Sequence, residues 1–285
     1  MPDANCRVDL HVHTDASDGA FSPAQVLEEA KWNGVSAVAI TDHDTFSGVA
    51  AAQAAGRDLG IEVVPGVELS CRHEGEEVHL VGLLIEPDQG FLDLMEHLRA
   101  CRESRMDKML ANLRGLGFAI DKEELGVRPG QSFGRPHLAR ALVRRGIVRN
   151  VGEAFERYLG DGGPVYVERE RLEVAEGLAL IHRVRGVSVV AHPGVSGLSD
   201  RLDAFRALGA MGMETRYPQY SPEMEQGFAA YCEKHGMLQS GGSDFHSRDR
   251  NSSVGVPFVP YEFLTKMKEK KERLWPGSSA GSKKA

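Results

Sequence analysis

The stretch Asp9–Gly19, DLHVHTDASDG, places two histidines and three aspartates within eleven residues. Apolar and polar residues alternate through residues 6–12, CRVDLHV, which is the period-two pattern of a β-strand. His11 and His13 are therefore expected on one face of a strand, where two imidazoles can reach one ion. Taken alone, the pattern fits a hydrogen-bonded histidine pair at a strand end equally well.

Strand and helix patterns alternate along the chain beyond this stretch. Residues 21–34, FSPAQVLEEAKWNG, predict a helix with Ser22 as N-cap, Gln25 in a capping box and Gly34 as terminator. The apolar run at 35–41, VSAVAIT, predicts a buried strand of the kind found in parallel sheets. Further strands are predicted at 61–67, 78–85, 187–192, 211–215 and 237–242, and further helices near 46–58, 171–184, 200–209 and 222–235. Repeated βα units imply a parallel sheet, open or closed into a barrel.

Strand patterns stop between about Phe91 and Pro164. Residues 91–117 form one long amphipathic pattern, and two shorter helical patterns end at glycines. We expect an inserted helical subdomain at 91–164 that covers one end of a catalytic barrel built from 1–90 and 165–275. The polar, low-complexity residues 276–285 predict a disordered tail.

Composition restricts the class of protein. A chain of 285 residues can bury a large core. Its four cysteines are scattered, without a C-x-x-C pair, which favours reduced thiols over a disulfide framework or a thiolate zinc site. The net charge of -7 argues against stable binding to long nucleic acids, although it permits a local basic pocket for a phosphate.

The sequence shows no pattern of export or membrane insertion. The N-terminal residues lack a basic and then apolar signal pattern, and Asp9 and His11 interrupt the early apolar run. No stretch approaches the length of a membrane-spanning helix. We expect a cytoplasmic protein without a membrane partner.

Other polar clusters follow the predicted strands. They are TDHD at 41–44, the end of PGVE at Glu68, AHPG at 191–194 and GGSDFH at 241–246. In α/β sheets and barrels, ligands bind at the carboxyl ends of the strands. Each residue also has an ordinary explanation, since His79 can be a core histidine and Asp42 or Asp44 can cap the next helix.

Considered together, these clusters indicate metal ions. Burying several histidines and carboxylates near one another is costly unless they share hydrogen bonds or cations. Imidazole and carboxylate ligands without thiolate favour zinc, manganese or iron, and a count near nine ligands exceeds what one ion binds. The sequence therefore predicts two or three divalent ions.

Six motifs, in order, resemble those of the PHP family, the polymerase and histidinol phosphatase superfamily. They are DLHVHTDASDG, AITDHDT, PGVELS, VHLVGL, VVAHPG and GGSDFH. The resemblance implies an α/β fold, a distorted TIM-like (β/α)7 barrel, with a di- or trinuclear metal centre. Within the family the chain most resembles the branch of RNase AM and 3',5'-nucleoside bisphosphate phosphatase, which also carries an inserted helical subdomain.

The resemblance also implies a role for nine residues as metal ligands and as the catalytic centre. His11, His13, Glu68 and Asp244 match the first metal site, and Glu68 would bridge to a second that His79 and His192 complete. Asp18, His43 and His246 match the third site, with Asp15 as a local competitor of Asp18. Manganese is the preferred ion, with zinc or iron as alternatives.

The implied reaction is hydrolysis of a phosphate ester by a metal-bridging hydroxide that attacks phosphorus. Implied substrates are nucleoside 3',5'-bisphosphates such as pAp and 5'-nucleotides such as AMP, with a 5'-3' exoribonuclease activity on short RNA as an extension. Arg102, Arg105, Arg135 and His137 are the candidate substrate-binding residues. For Arg102 and Arg105, at i and i+3 on the long helix, ordinary solvated charges are the alternative.

Two other functions stay open. Histidinol-phosphate phosphatase activity uses the same metal chemistry, and a non-catalytic metal-binding structural module is a second alternative. Asp9, Asp42 and Asp44 are candidates for orienting the imidazoles, with helix capping or strand-end hydrogen bonds as the competing role.

Overall fold

The predicted βαβ unit opens the computed structural model, which describes residues 6–248 and 253–277. Strand β1 (Arg7–Val12) pairs in parallel with β2 (Val35–Ile40), and α1 (Pro23–Trp32) connects them. Ser22 caps α1 and closes a capping box with Gln25, as predicted. This unit fixes the position of the first two histidines beside the end of β2.

The remaining elements extend this sheet into a nearly closed barrel. The strands are β3 (Glu62–His73), β4 (Glu76–Leu83), β5 (Leu172–Glu173), β6 (Val187–Val190), β7 (Gly212–Arg216), β8 (Leu238–Gly241) and β9 (Val259–Pro260). The helices are α2 (Val49–Leu59), α3 (Gln89–Gly115), α4 (Arg135–Arg144), α5 (Val151–Ala154), α6 (Val174–Arg183), α7 (Leu202–Ala207), α8 (Pro222–His235) and α9 (Tyr261–Leu274). The strand order is β8-β7-β6-β4-β3-β2-β1-β9, with β5 paired to β3. Backbone hydrogen bonds from Asp244 to His11 (2.9 Å) and from His13 to Phe245 (3.0 Å) link the segment after β8 to β1. The predicted α/β barrel is confirmed.

The sheet is not parallel throughout, as the repeated βα units had implied, because β9 pairs antiparallel with β1 and the predicted strand β4 is reversed as well. This strand runs antiparallel to both β3 and β6. Glu74 and Gly75 have φ values of 51° and 89°, so the turn between β3 and β4 is a two-residue hairpin of the kind that needs positive φ at both positions. The sequence analysis also missed β9 and α9, whose residues Phe263, Leu264 and Met267 pack against the strands.

The helical segment between β4 and β5 has a core of its own. Within residues 91–164, all of which are described, the structure has no strand. A cluster that runs from Met106 to Val165 holds α4, α5 and the second half of α3 together. The first half of α3, from Phe91 to Leu98, packs instead in the barrel cluster. We propose on this basis that 91–164 is a subdomain inserted into the barrel, with α3 shared between the two.

Two further expectations concern the tail and membranes. Residues 278–285 of the proposed tail lie outside the described residues, and Pro276 and Gly277 form a turn after α9. No helix in the part of the chain that the structure describes has the length and apolar character needed to cross a bilayer.

The close approach of β1 and the segment after β8 predicts that Gly242→Ala destabilises the fold. A Cβ at position 242 would lie 2.5 Å from the backbone nitrogen of His11 and 2.6 Å from its Cβ. Overpacking of this kind costs about 1–3 kcal/mol, which urea unfolding would measure as a lower midpoint.

Gly227→Ala in α8 is the matched control. A Cβ there meets nothing within 4 Å, and alanine favours a helix over glycine by about 1 kcal/mol. Equal midpoints for the two variants would contradict the described packing at Gly242.

Candidate metal centre

Glu68, at the centre of the cluster, lies on β3 and is 1% exposed. With His11, His13 and Asp244 it forms a group whose potential ligand atoms all lie within 4.8 Å of one another. His13 Nε2 is 3.1 Å from both Glu68 Oε2 and Asp244 Oδ1, and His11 Nε2 is 3.3 Å from Glu68 Oε2. The structure thus brings together the four residues expected at the first metal site.

The second oxygen of Glu68 faces two further histidines. Oε1 is 2.8 Å from His79 Nδ1 and 3.2 Å from His192 Nε2. His43 approaches the other oxygen, with its Nδ1 3.0 Å from Glu68 Oε2. The ligand atoms of His43, Glu68 and His79 all lie within 4.8 Å of one another. His43 was expected at the third site, so this contact places it between the expected second and third sites.

The expected third site is also assembled. Asp18, His43 and His246 group with His13, again with ligand atoms within 4.8 Å. His246 Nε2 is 3.2 Å from Asp18 Oδ1, and the imidazoles of His13 and His246 stack with ring centroids 4.1 Å apart. All nine predicted ligands therefore lie in one continuous cluster, and their roles as ligands stay a proposal.

Unsatisfied buried atoms show that the cluster fits divalent cations. Among the described residues, four buried side-chain atoms of the cluster lie close to other ligand-type atoms but make no hydrogen bond of acceptable geometry: His13 Nδ1, Asp18 Oδ1, His43 Nδ1 and Glu68 Oε2. Leaving such groups without partners costs about 1–3 kcal/mol each, and more when they are charged. Nitrogen and carboxylate oxygen donors that face one another at 3–4 Å suit a multi-metal site of first-row ions.

The charges in the cluster depend strongly on each other. Burial by itself would raise the pKa of Glu68, but the imidazoles of His43 and His11 hold it well below its usual range. Burial opposes protonation of His79 and His13 as well, yet the carboxylates around them raise the pKa of His79 to about 10 and that of His13 to about 9. Burial lowers the pKa of His43 to about 4. The carboxylates of the centre therefore stabilise positive charge beside them, which protonated imidazoles provide here and bound cations would provide in their place.

Glu214 orients the imidazole of His11, a role that the sequence analysis missed. Its Oε1 lies 2.9 Å from His11 Nδ1, and its Oε2 accepts a 2.6 Å hydrogen bond from the backbone of His192. A carboxylate partner of this kind fixes the orientation of a metal-binding imidazole. The available signal was an acidic residue inside the apolar strand pattern MGMET.

The three aspartates proposed to orient imidazoles bind other groups instead. Asp9 accepts hydrogen bonds from the backbone of Ser243 and Gly255. Asp42 accepts from the backbone and hydroxyl of Thr14 and from the hydroxyl of Ser17. Asp44 accepts from the backbone of Ser70 and forms ion pairs with two arginines, Arg102 and Arg169. They organise the loops and the pocket wall around the centre.

A cavity of about 290 Å³ opens onto the metal-ligand cluster, and one wall of it is basic. The arginines that line it are Arg102, Arg105, Arg135 and Arg169. Arg102 is 2.6 Å from Asp44, and Arg135 is 2.7 Å from Asp161. Arg105 is buried, and one terminal nitrogen of its guanidinium makes no hydrogen bond. Arg105 therefore has a spare donor at the tip of its guanidinium, and among the described residues of this wall Arg169 has one as well, at Nε.

Two results differ from the predicted substrate-binding set. His137 is outside the lining of this cavity, and its Nδ1 accepts a 3.0 Å hydrogen bond from the backbone of Gly134 at the start of α4. Its contact with substrate stays a prediction. Arg169, which lines the cavity, was not predicted, although the alternating arginines of VERERLE at 167–173 could have indicated it.

A barrel that gathers imidazoles and carboxylates beside the ends of its strands defines a multinuclear metal hydrolase. The family model of the PHP domain matches residues 9–125. The chain is 32% identical over 246 residues to a 5'-3' exoribonuclease of Haemophilus influenzae, covering 84% of this chain and 90% of that protein. It is 34% identical over 250 residues to the 3',5'-nucleoside bisphosphate phosphatase of Chromobacterium violaceum, covering 84% of this chain and 87% of that protein.

A crystal structure from Bifidobacterium adolescentis, assigned as a metal-dependent phosphoesterase, matches with a TM-score of 0.84 at 27% identity, covering 94% of this chain and 96% of that chain. The chain belongs to the PHP domain family and is a metal-dependent phosphoesterase.

The raised pKa values predict that cation binding releases protons. His13 and His79, with pKa values of about 9 and about 10, carry protons at pH 7, whereas a metal ion binds the neutral imidazole. Affinity for Mn²⁺ should therefore rise as the pH increases from 6 towards 9. Calorimetric titrations in two buffers of different ionisation enthalpy would measure the protons released, and buffer-independent heats would contradict the prediction.

Proposed function

We propose that this phosphoesterase acts on nucleotides, either nucleoside 3',5'-bisphosphates such as pAp or 5'-nucleotides such as AMP, and on the 5' end of short RNA. The supporting observation is that one cavity joins the metal-ligand cluster to the basic wall of arginines. A substrate with two phosphate groups can occupy both parts at once. The names of the two relatives describe enzymes for such substrates.

Divalent ions held by the nine clustered residues would supply an activated water and neutralise charge on the phosphate oxygens. The residues of the chain would bind and orient the rest of the substrate. The spare N–H of Arg105 can donate to a second phosphate, for which a guanidinium is well suited. Tyr217 donates a 2.7 Å hydrogen bond to Asp244 and so holds that carboxylate in place.

An aromatic side chain favours a nucleotide over a smaller phosphate ester. Phe155 lines the cavity and lies under the guanidinium of Arg135, with 5.5 Å between the guanidinium carbon and the ring centroid. Stacking of a base on an aromatic ring contributes about 1–3 kcal/mol. Histidinol phosphate, the competing substrate, presents a smaller ring and no second phosphate.

The proposal includes two or three bound ions, with manganese preferred and zinc or iron as alternatives, and a cytoplasmic location. Imidazole and carboxylate donors in this ratio suit all three metals. Metal analysis of the protein as purified would identify the ion and its stoichiometry.

Substrate comparison is the main test of this function. With Mn²⁺ present, pAp and a 5'-phosphorylated oligoribonucleotide should be hydrolysed with kcat/KM values about tenfold or more above that of histidinol phosphate, because a hydrogen bond from Arg105 to their second phosphate contributes about 1.5–3 kcal/mol. AMP has no second phosphate, so it should exceed histidinol phosphate only through stacking of its base on Phe155, which contributes about 1–3 kcal/mol. Preference for histidinol phosphate would overturn the choice of substrate. Inactivity on the whole panel would favour a structural module.

A pair of variants tests the division of roles within the cavity. Arg105→Gln should raise KM for pAp about tenfold, leave metal content unchanged and leave hydrolysis of p-nitrophenyl phosphate unchanged, since that substrate has no second phosphate. Asp244→Asn should lower metal content and the hydrolysis of both substrates. Equal effects of Arg105→Gln on both substrates would contradict a second phosphate site.

A further inference from the structure

A second group of metal-ligand side chains lies on the surface of the helical segment. His97 and Cys101 stand one turn apart on α3, at i and i+4, and so face the same side of the helix. Glu170 reaches them from segment 166–171, which leads into β5. The potential ligand atoms of the three lie within 4.8 Å of one another, and none of these residues lines the cavity of the metal centre.

The separations of the three atoms match those of ligands around one tetrahedral ion. Cys101 Sγ is 3.6 Å from His97 Nε2 and 3.7 Å from Glu170 Oε2, and His97 Nε2 is 3.5 Å from Glu170 Oε2. Zinc bonds of about 2.3 Å to sulfur and about 2.0–2.1 Å to nitrogen and oxygen give tetrahedral edges of about 3.4–3.6 Å. An ion can therefore enter with little movement of the backbone.

The chemistry of the donors selects a class of ion. Thiolate together with imidazole suits zinc, cobalt or copper and disfavours magnesium, calcium and manganese. The main centre differs because none of its nine clustered residues is a cysteine. His97 and Glu170 are 54% and 66% exposed, which leaves room for water as a fourth ligand.

The competing explanation is an ordinary surface hydrogen bond between the thiol and the carboxylate. Burial and the Glu170 carboxylate raise the pKa of the Cys101 thiol, so without a cation the thiol keeps its proton. At 3.7 Å the contact between sulfur and oxygen is then a weak hydrogen bond. A bound cation would exchange this weak contact for three coordinate bonds.

We propose that His97, Cys101 and Glu170 form a binding site for a thiophilic divalent ion of the zinc class, separate from the catalytic centre. The ion would tie segment 166–171 to α3. Arg169 and Arg171 flank Glu170 in the chain but face the protein interior, whereas the side chain of Glu170 is exposed. Both arginines are buried, at 6% and 7% exposure, and form ion pairs with Glu77. The same ion would therefore hold in place the segment that presents Arg169 to the cavity.

Co²⁺ is the probe for this site, because a cobalt–thiolate bond gives a charge-transfer absorption in the near ultraviolet that nitrogen and oxygen ligands do not give. Titration of the full-length protein should produce this absorption, saturating at one equivalent of thiolate-bound cobalt per chain. Cys101→Ser should abolish it. His97→Gln should weaken Co²⁺ affinity at this site by more than the roughly 10- to 100-fold that is lost when a residue hydrogen-bonded to a metal ligand is removed, because His97 would itself be a ligand.

Two control variants separate this site from other cobalt sites. Asp244→Asn, in the main centre, and Cys6→Ser, at the other partly exposed cysteine, should both keep the absorption. Cys101→Ser should keep Mn²⁺-dependent hydrolysis of p-nitrophenyl phosphate, which shows that it folds. Absence of the absorption in the unmodified protein, or its survival in Cys101→Ser, would overturn the site.

Hydrogen exchange tests the link to segment 166–171. Zn²⁺ added to the Mn²⁺-loaded protein should slow amide exchange in this segment, and the effect should be missing in Cys101→Ser. Equal slowing in both proteins would show that the ion acts from the main centre, which would overturn the link.

Discussion

One buried carboxylate, Glu68, determines where the rest of the centre must lie. It contacts imidazoles from four parts of the chain: His11 of β1 with His13 directly after that strand, His43 after β2, His79 of β4 and His192 after β6. A buried charge without partners costs several kcal/mol, so these strand ends have to meet for the side chain of Glu68 to be tolerated. Closure of the sheet between β1 and the segment after β8 then brings Asp244 to the same place. The barrel and the centre therefore depend on each other, since neither the burial of Glu68 nor the convergence of the histidines is favourable alone.

The antiparallel direction of β4 explains why His79 lies near the start of its strand and still reaches the site. His79 lies near the start of β4, inside an apolar pattern, where the sequence also permitted a core histidine. Because β4 runs against β3, its first residues lie beside the last residues of β3, and His79 pairs with Ser70. The hairpin at Glu74 and Gly75 thus places His79 at the same edge of the barrel as the ligand-type residues of the parallel strands. Because β4 is reversed, a residue near its start can join the site. In a barrel of parallel strands, only residues near the end of a strand could do so.

Sequence patterns predicted the local features well because those features depend on neighbours in the chain. The capping box of α1, the strand β1 with His11, and the strand-free helical segment all follow from periodicity and end signals, although β1 ends one residue before His13. The partners of charged side chains did not follow, because they are distant in sequence. Asp44 meets Arg102 and Arg169 across 58 and 125 residues, and Glu214 meets His11 across 203 residues. No spacing rule connects such pairs, so the functions of Asp44 and Glu214 became visible only in the folded chain.

The basic wall of the cavity is electrostatically unbalanced, and this imbalance favours anion binding. Asp44 and Glu77 together neutralise much of the charge of Arg102, Arg169 and Arg171. Arg105 has no carboxylate partner in the part of the chain that the structure describes, and burial, with the nearby guanidinium groups of Arg169, Arg135 and Arg102, lowers its pKa to about 9. A lowered pKa means that the cation is destabilised by its surroundings, and an anion beside it would relieve that cost. A phosphate bound at Arg105 would therefore satisfy the spare N–H and the unbalanced charge together. The chain has a net charge of -7, yet its charges are distributed so that a phosphate meets cations on one side of the cavity and metal ligands on the other.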